Sequence, residues 1–200
     1  MGIVAAVKES PTPPARAPEL DEITLARARR GEATACRALV DRYSRPVFAL
    51  LSRMLLSRAP LVEDLAQETF LRVFRALPDF DPRGPARLST WVLTIATRLA
   101  LDELARRAPA SHSWTPLDER WPDPARTDAP LERRTLGLAI ARAVEELPAD
   151  QRAAFVLREF HELDYAEIAT ALDVDPGTVK SRLSRAKERL RAALGELHDV

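Results

Sequence analysis

An all-α fold follows from three features of this 200-residue chain. Apolar residues recur at helical spacing over most of its length, and no stretch alternates apolar and polar residues as a half-buried strand would. Prolines outnumber glycines sixteen to six, which suits helices separated by proline-marked joints. The same punctuation divides the chain into two small helical domains, 20–107 and 131–195, joined by a flexible linker at 108–130 and preceded by a tail at 1–19.

The tail holds Pro11, Pro13, Pro14 and Pro18 with few large apolar residues, so it is expected to be disordered. From about Leu20 the pattern turns helical. Ile23, Leu25, Ala28 and Ala35 lead into Leu39, Val40, Tyr43, Val47, Phe48, Leu50, Leu51, Met54 and Leu55. Pro60 opens the next helix, whose apolar face is Leu61, Val62, Leu65, Ala66, Phe70, Val73, Phe74 and Leu77, and Pro78 ends it. Three prolines and a glycine within Pro78–Arg87 exclude an α-helix there. Ser89 is the expected N-cap of a helix bearing Trp91, Val92, Ile95, Ala96 and Leu99 and running to about Arg107. Beyond the linker, helices are expected over Leu131–Leu147 and Pro148–Phe160, followed by a helix, a tight turn and a second helix.

That last unit carries the most chemistry. Asp164 can cap a helix burying Ile168, Ala169 and Leu172, with Ala169 small enough for close helix packing. Asp175 and Pro176 form an N-cap and first helical residue, and Val179, Leu183, Ala186 and Leu190 make one apolar stripe. Lys180, Ser181, Ser184, Arg185 and Lys187 point away from the stripe. From Thr178 to Arg191 six basic residues face one acid, Glu188, within a chain whose thirty basic and thirty acidic residues cancel. A solvated helical hairpin does not require such segregation; a helix-turn-helix whose second helix enters a DNA major groove does. Thr178, Lys180, Ser181, Arg182, Ser184, Arg185 and Lys187 are the expected DNA contacts there.

Other classes are poorly served. No segment approaches the apolar length of a membrane span, and the N-terminus lacks the basic start and long apolar core of a secretory signal. Cys36 stands alone, which excludes an intrachain disulfide and suits a small buried apolar residue in a reducing cytoplasm. His112, His161 and His198 have neither metal nor triad spacing, and no glycine-rich phosphate loop occurs. No catalysis, metal or cofactor is expected, and His161 reads as a loop or helix-end residue.

The motifs Glu63–Phe74, Phe80-Asp81-Pro82-Arg83-Gly84, Leu88-Ser89-Thr90-Trp91-Val92, Leu147-Pro148-Ala149-Asp150-Gln151-Arg152 and Gly177–Leu183, in this order, resemble bacterial RNA polymerase sigma factors of the extracytoplasmic-function (ECF) group. The resemblance covers about residues 22–195 and is weakest in the linker. It implies that the first domain is sigma region 2, gripping the β′ coiled coil and opening the minus-ten element. The second would be region 4, reading the minus-35 element and resting on the β flap, while the linker follows the RNA path. It further implies that the chain directs core polymerase to promoters, with an anti-sigma factor as a further partner and no membrane insertion.

Physical reasons accompany these borrowed roles. Glu63, Asp64, Gln67 and Glu68 fall opposite an apolar stripe and, with Phe70, are the expected polymerase contacts; dipole-favoured acids at a helix start explain Glu63 and Asp64 but not Gln67. Asp81, Arg83, Arg87, Trp91 and Arg98 are the expected minus-ten contacts, in a stiff loop able to hold a flipped base. Trp91 either packs in the core or stacks on a base. The chain departs from common family members at Thr94 and Thr97, where arginine is frequent, and at Arg98, where asparagine is. Two rivals stay open on sequence: a helix-turn-helix regulator that is no polymerase subunit, and an interaction module that sequesters another factor. Footprinting with and without core polymerase separates the regulator from a sigma factor, and the interaction module predicts no sequence-specific DNA binding even with polymerase present.

Overall fold

The computed structural model describes residues 19–106 and 131–195. The expectations for residues 1–18 and for the 108–130 linker lie outside the described residues. Within them the chain folds into eight α-helices: α1 Glu22–Arg29, α2 Ala33–Met54, α3 Pro60–Ala76, α4 Leu88–Arg106, α5 Leu131–Glu145, α6 Ala149–Glu159, α7 Tyr165–Leu172 and α8 Pro176–Gly195. Single 3-10 turns occupy Leu56–Arg58 and Leu77–Asp79.

Local chemistry sets most of these limits. Asp21 caps α1 by accepting from the Thr24 N–H at 2.8 Å. The helical pattern that looked continuous after Leu20 breaks at Gly31, whose φ of 78° suits a residue without Cβ. Proline marks the joint before α3, as expected, but Pro46 lies inside α2. That helix continues because Leu39, Tyr43, Val47, Leu50, Leu51 and Met54 are buried along it, and this packing outweighs one missing N–H.

The first four helices pack as one bundle, with α2 against α1, α3 and α4. The last four form a second, in which α6 and α8 cross and α7 joins them. The two bundles also share a face. Helix α4 packs on α7, α2 packs on α6 and α5, and the buried apolar residues form one continuous cluster across both halves. Arg152 crosses this seam with its guanidinium buried, donating from Nη1 to the Met54 carbonyl at 2.6 Å and from Nη2 to the carbonyls of Glu145 and Leu147. Desolvation pulls its pKa below the ordinary arginine value. Arg53 lies over the Phe160 ring, 4.3 Å from its centroid.

Two local expectations are corrected, for Ser89 and Cys36, and a third gains a detail. Ser89 is not the N-cap of α4. The helix starts at Leu88, the Arg87 carbonyl accepts the first helical bond from Trp91 N–H at 2.9 Å, and Ser89 is buried in the first turn. Cys36 is half-buried, its thiol directed at the Ala28 carbonyl at 3.7 Å. His161 does lie at the end of α6 but is buried, which drives its pKa down to about 3 through desolvation and the nearby Arg53 charge.

Candidate nucleic-acid interface

The turn between α7 and α8 is built by caps at both ends. Asp164 accepts from Glu167 N–H at 2.8 Å while the Glu167 carboxylate accepts from Asp164 N–H at 3.0 Å, a reciprocal capping box. Helix α7 ends on Asp173 in the left-handed region at φ 54°. Asp175 then accepts from the Thr178 N–H and hydroxyl at 2.9 and 2.6 Å, bonds that hold its pKa below the usual carboxylate value. The residues that open α8 behind these caps, Pro176 and Gly177, are exposed.

On α8, Val179, Leu183, Ala186 and Leu190 are buried as expected. Lys180, Ser184 and Arg185 are exposed, and the half-buried Ser181 donates to the Thr178 carbonyl at 2.9 Å. Arg182 and Lys187 differ from them. Arg182 pairs with Asp150 at 3.0 Å and Lys187 with Glu159 at 2.9 Å, both acids on α6. The flanks of α8 are thus tied back to its own bundle while the centre of its outer face stays open.

The second expected surface spans the loop 80–87 and the start of α4. Asp81 accepts from Arg83 N–H at 2.9 Å, and its carbonyl accepts from Gly84 N–H at 3.1 Å, so it shapes the turn. A Cβ on Gly84 would meet that same carbonyl at 3.1 Å. Arg83 and Arg87 are exposed. Trp91 is half-buried, and its ring lies 4.9 Å from that of the buried Phe80. Thr97, at a position where arginine is frequent, is fully buried and back-bonds to the Leu93 carbonyl at 2.7 Å.

Two residues of α4 are engaged by α7. Thr90 donates to Glu167 at 2.9 Å. Arg98 makes long hydrogen bonds of 3.4 and 3.5 Å to the carbonyls of Ala171 and Thr170 at the C-terminal end of α7, where a cation is favoured.

On α3, Glu63, Asp64 and Gln67 are exposed and share one face. Glu68 joins them but is paired to Arg72 at 2.7 Å. Phe70 does not: it is 8% exposed and belongs to the core. Leu71, which sequence reading did not single out, is 51% exposed and lies one and two turns from Gln67 and Asp64 on their face. Its spacing was the available signal, since a leucine at Asp64 + 7 continues the polar side rather than the core stripe.

A family model for Sigma-70 region 2 matches residues 39–109, and one for Sigma-70 region 4 matches residues 137–190. The RNA polymerase sigma-H factor of Pseudomonas aeruginosa is 32% identical over 188 residues, covering 90% of this chain and 96% of that protein. The ECF RNA polymerase sigma-E factor of Escherichia coli is 34% identical over 179 residues, covering 85% and 92%. The chain belongs to the ECF sigma factors. The sigma factor also shares its fold with CnrH, solved in complex with the cytosolic domain of CnrY, at a TM-score of 0.64 and 24% identity over 88% of this chain and 97% of that one. A similar likeness, TM-score 0.58 and 21% identity over 80% and 96%, relates it to Bartonella quintana RpoE, solved with the anti-sigma factor NepR. As an alternative sigma factor it directs RNA polymerase in transcription initiation, with its region 2 match spanning most of α2 through α4 and its region 4 match falling within α5–α8. Among the described residues no helix is long and apolar enough to cross a membrane.

Proposed function

We propose that this sigma factor divides its work among three surfaces. The Asp64–Gln67–Leu71 face of α3, with Glu63 and Glu68, docks on the β′ coiled coil of core polymerase. The outer face of α8 reads the minus-35 element through Lys180, Ser181, Ser184 and Arg185, with Thr178, Arg182 and Lys187 at its margins. Region 4 as a whole rests on the β flap. The loop 80–87, with Asp81 shaping it and Arg83, Arg87, Trp91 and Arg98 around it, receives the unpaired minus-ten strand and supports melting.

The observation that supports this most is the separation of chemistries. An acidic face with one exposed leucine suits a basic helical partner, whereas the open face of α8 behind a doubly capped turn suits a major groove. The chain adds no catalytic group of its own; the polymerase performs the chemistry, in the cytoplasm. Because Thr90 and Arg98 are held by α7, Arg98 meets DNA only when the two bundles separate, and binding to polymerase at two distant sites would drive that separation. An anti-sigma factor is the expected antagonist.

Run-off transcription from a pool of genomic promoters, with core polymerase alone and with this chain added, tests the reading. New start sites that require the chain support it. Tight, specific binding of a palindromic duplex by the isolated chain, without new start sites, would favour a free-standing regulator instead.

A further inference from the structure

The segment ahead of α2 reaches across region 2 and holds both ends of the promoter-reading loop. At one end, Arg29 of α1 donates from Nη2 to the Pro78 carbonyl at 2.8 Å. At the other, the Glu19 carboxylate accepts from the Ser89 N–H at 3.3 Å to each oxygen and from the Ser89 hydroxyl. Tyr43, buried in α2, donates to the same carboxylate at 3.4 Å and receives the Leu20 N–H at 3.4 Å, fixing where Glu19 stands.

The start of α4 needs such a partner. Its expected N-cap side chain, Ser89, lies inside the first turn, and Arg87 occupies the capping position without a carboxylate or hydroxyl to offer. A carboxylate supplied from seventy residues away both satisfies an orphan N–H and places negative charge at the positive end of the helix. Between the two ties lie Asp81, Arg83, Gly84, Arg87 and the Phe80–Trp91 ring pair.

We propose that Glu19 and Arg29 are positioning residues that hold the 80–87 loop and the start of α4 in the shape that receives the minus-ten strand. The proposal rests on the assignment of that loop to the minus-ten element. Neither residue touches DNA in this scheme; each acts through Ser89 or Pro78. A preformed loop avoids an ordering cost when single-stranded DNA arrives.

The experiment uses holoenzyme assembled from core polymerase and full-length chain, with a fluorescent single-stranded minus-ten oligonucleotide as probe. Glu19→Ala is expected to weaken oligonucleotide binding about fivefold to tenfold, the scale of a lost helix cap. Core affinity should stay within about twofold, because the proposed docking face lies on α3 whereas Glu19 bonds the start of α4. Glu19→Gln keeps a carbonyl acceptor for the Ser89 N–H and should restore part of the loss. Glu19→Ala combined with Ser89→Ala should lose little more than Glu19→Ala alone, since the two report one interaction. Arg29→Met, which removes the other tie, should weaken the oligonucleotide in the same selective way.

Equal losses of core and oligonucleotide affinity, or additive effects of Glu19→Ala and Ser89→Ala, would overturn the proposal and reduce Glu19 to general fold support. Trp91→Ala separates the two layers of the idea. If it abolishes oligonucleotide binding while Glu19→Ala has no effect, the loop reads DNA without this brace. If Trp91→Ala also has no effect, the minus-ten assignment falls, and the brace with it.

Discussion

Arg152 donates from Nη1 to the backbone carbonyl of Met54, 2.6 Å away and 98 residues earlier in the chain. Its other terminal nitrogen reaches the carbonyls of Glu145 and Leu147. One planar guanidinium thus closes the C-terminal ends of a region 2 helix and a region 4 helix at once, a geometry that lysine's single ammonium cannot copy.

Arg152→Met is therefore expected to lower the unfolding free energy by about 2–4 kcal/mol, the range for stranding buried groups that lose a charged partner. Arg152→Lys should recover only part of it. Urea denaturation of the two variants checks this, and equal stability of Arg152→Met and the parent would mean that water replaces the guanidinium at no cost.

The α3 face should separate binding from folding. Gln67→Ala with Leu71→Ala is expected to change stability by less than about 0.5 kcal/mol, as exposed positions usually do. The pair should nevertheless weaken core polymerase binding by about tenfold or more, since an exposed apolar side chain ringed by polar groups is a common interface anchor. Competition against a second sigma factor for limiting core measures it. Unchanged competition would move the docking face elsewhere.

Within α8, Arg185 is exposed at the centre of the outer face, whereas Arg189 sits to its flank. Arg185→Ala should cost about 1–3 kcal/mol at the preferred promoter and relax preference at one position of the minus-35 element. Arg189→Ala should weaken all sequences alike and flatten the salt dependence. Promoter selection from a randomised minus-35 pool distinguishes the two; the reverse pattern would mean that α8 enters the groove by another edge.

His161 makes folding sensitive to acid. Burial holds it neutral, with its pKa near 3 in the folded chain against an ordinary value of 6.5, so the unfolded chain binds the extra proton between those limits. Its contribution is fully present above pH 6.5 and declines as pH falls toward 3. Between pH 7 and pH 5 it should account for about 2 kcal/mol of lost stability. His161→Met, of similar bulk and unable to titrate, should shrink that loss by the same amount in parallel urea titrations at the two pH values. Identical pH slopes for the two proteins would place the acid sensitivity on other groups.

The candidate sites were partly legible in the chain alone. Asp164, Asp175 and Pro176 announce the turn because caps act within three residues, and the Val179–Leu190 stripe then dictates which side of α8 is left for DNA. Phe70 and Leu71 were harder to tell apart. They are neighbours in a broad apolar run; the heptad spacing from Asp64 hints that Leu71 faces out, and the packing of α3 on α2 and α4 settles that Phe70 turns in. Arg182 and Lys187 looked as free as Arg185 until α6 supplied Asp150 and Glu159 opposite them.

What the sequence determined by itself is whatever depends on short range: an all-α chain, the proline and aspartate boundaries of its helices, and the faces that periodicity assigns to core or solvent. What only the tertiary structure decided depends on residues that meet from far apart. Glu19 read as the last residue of a tail and stands as the cap of a helix seventy residues on. Arg152 read as part of a family motif and ties the two bundles together. Arg98 read as a promoter contact and is held by α7. Helical periodicity is written in each segment, but the partner of a side chain across a seam is chosen by how the bundles pack, and no local pattern encodes that choice.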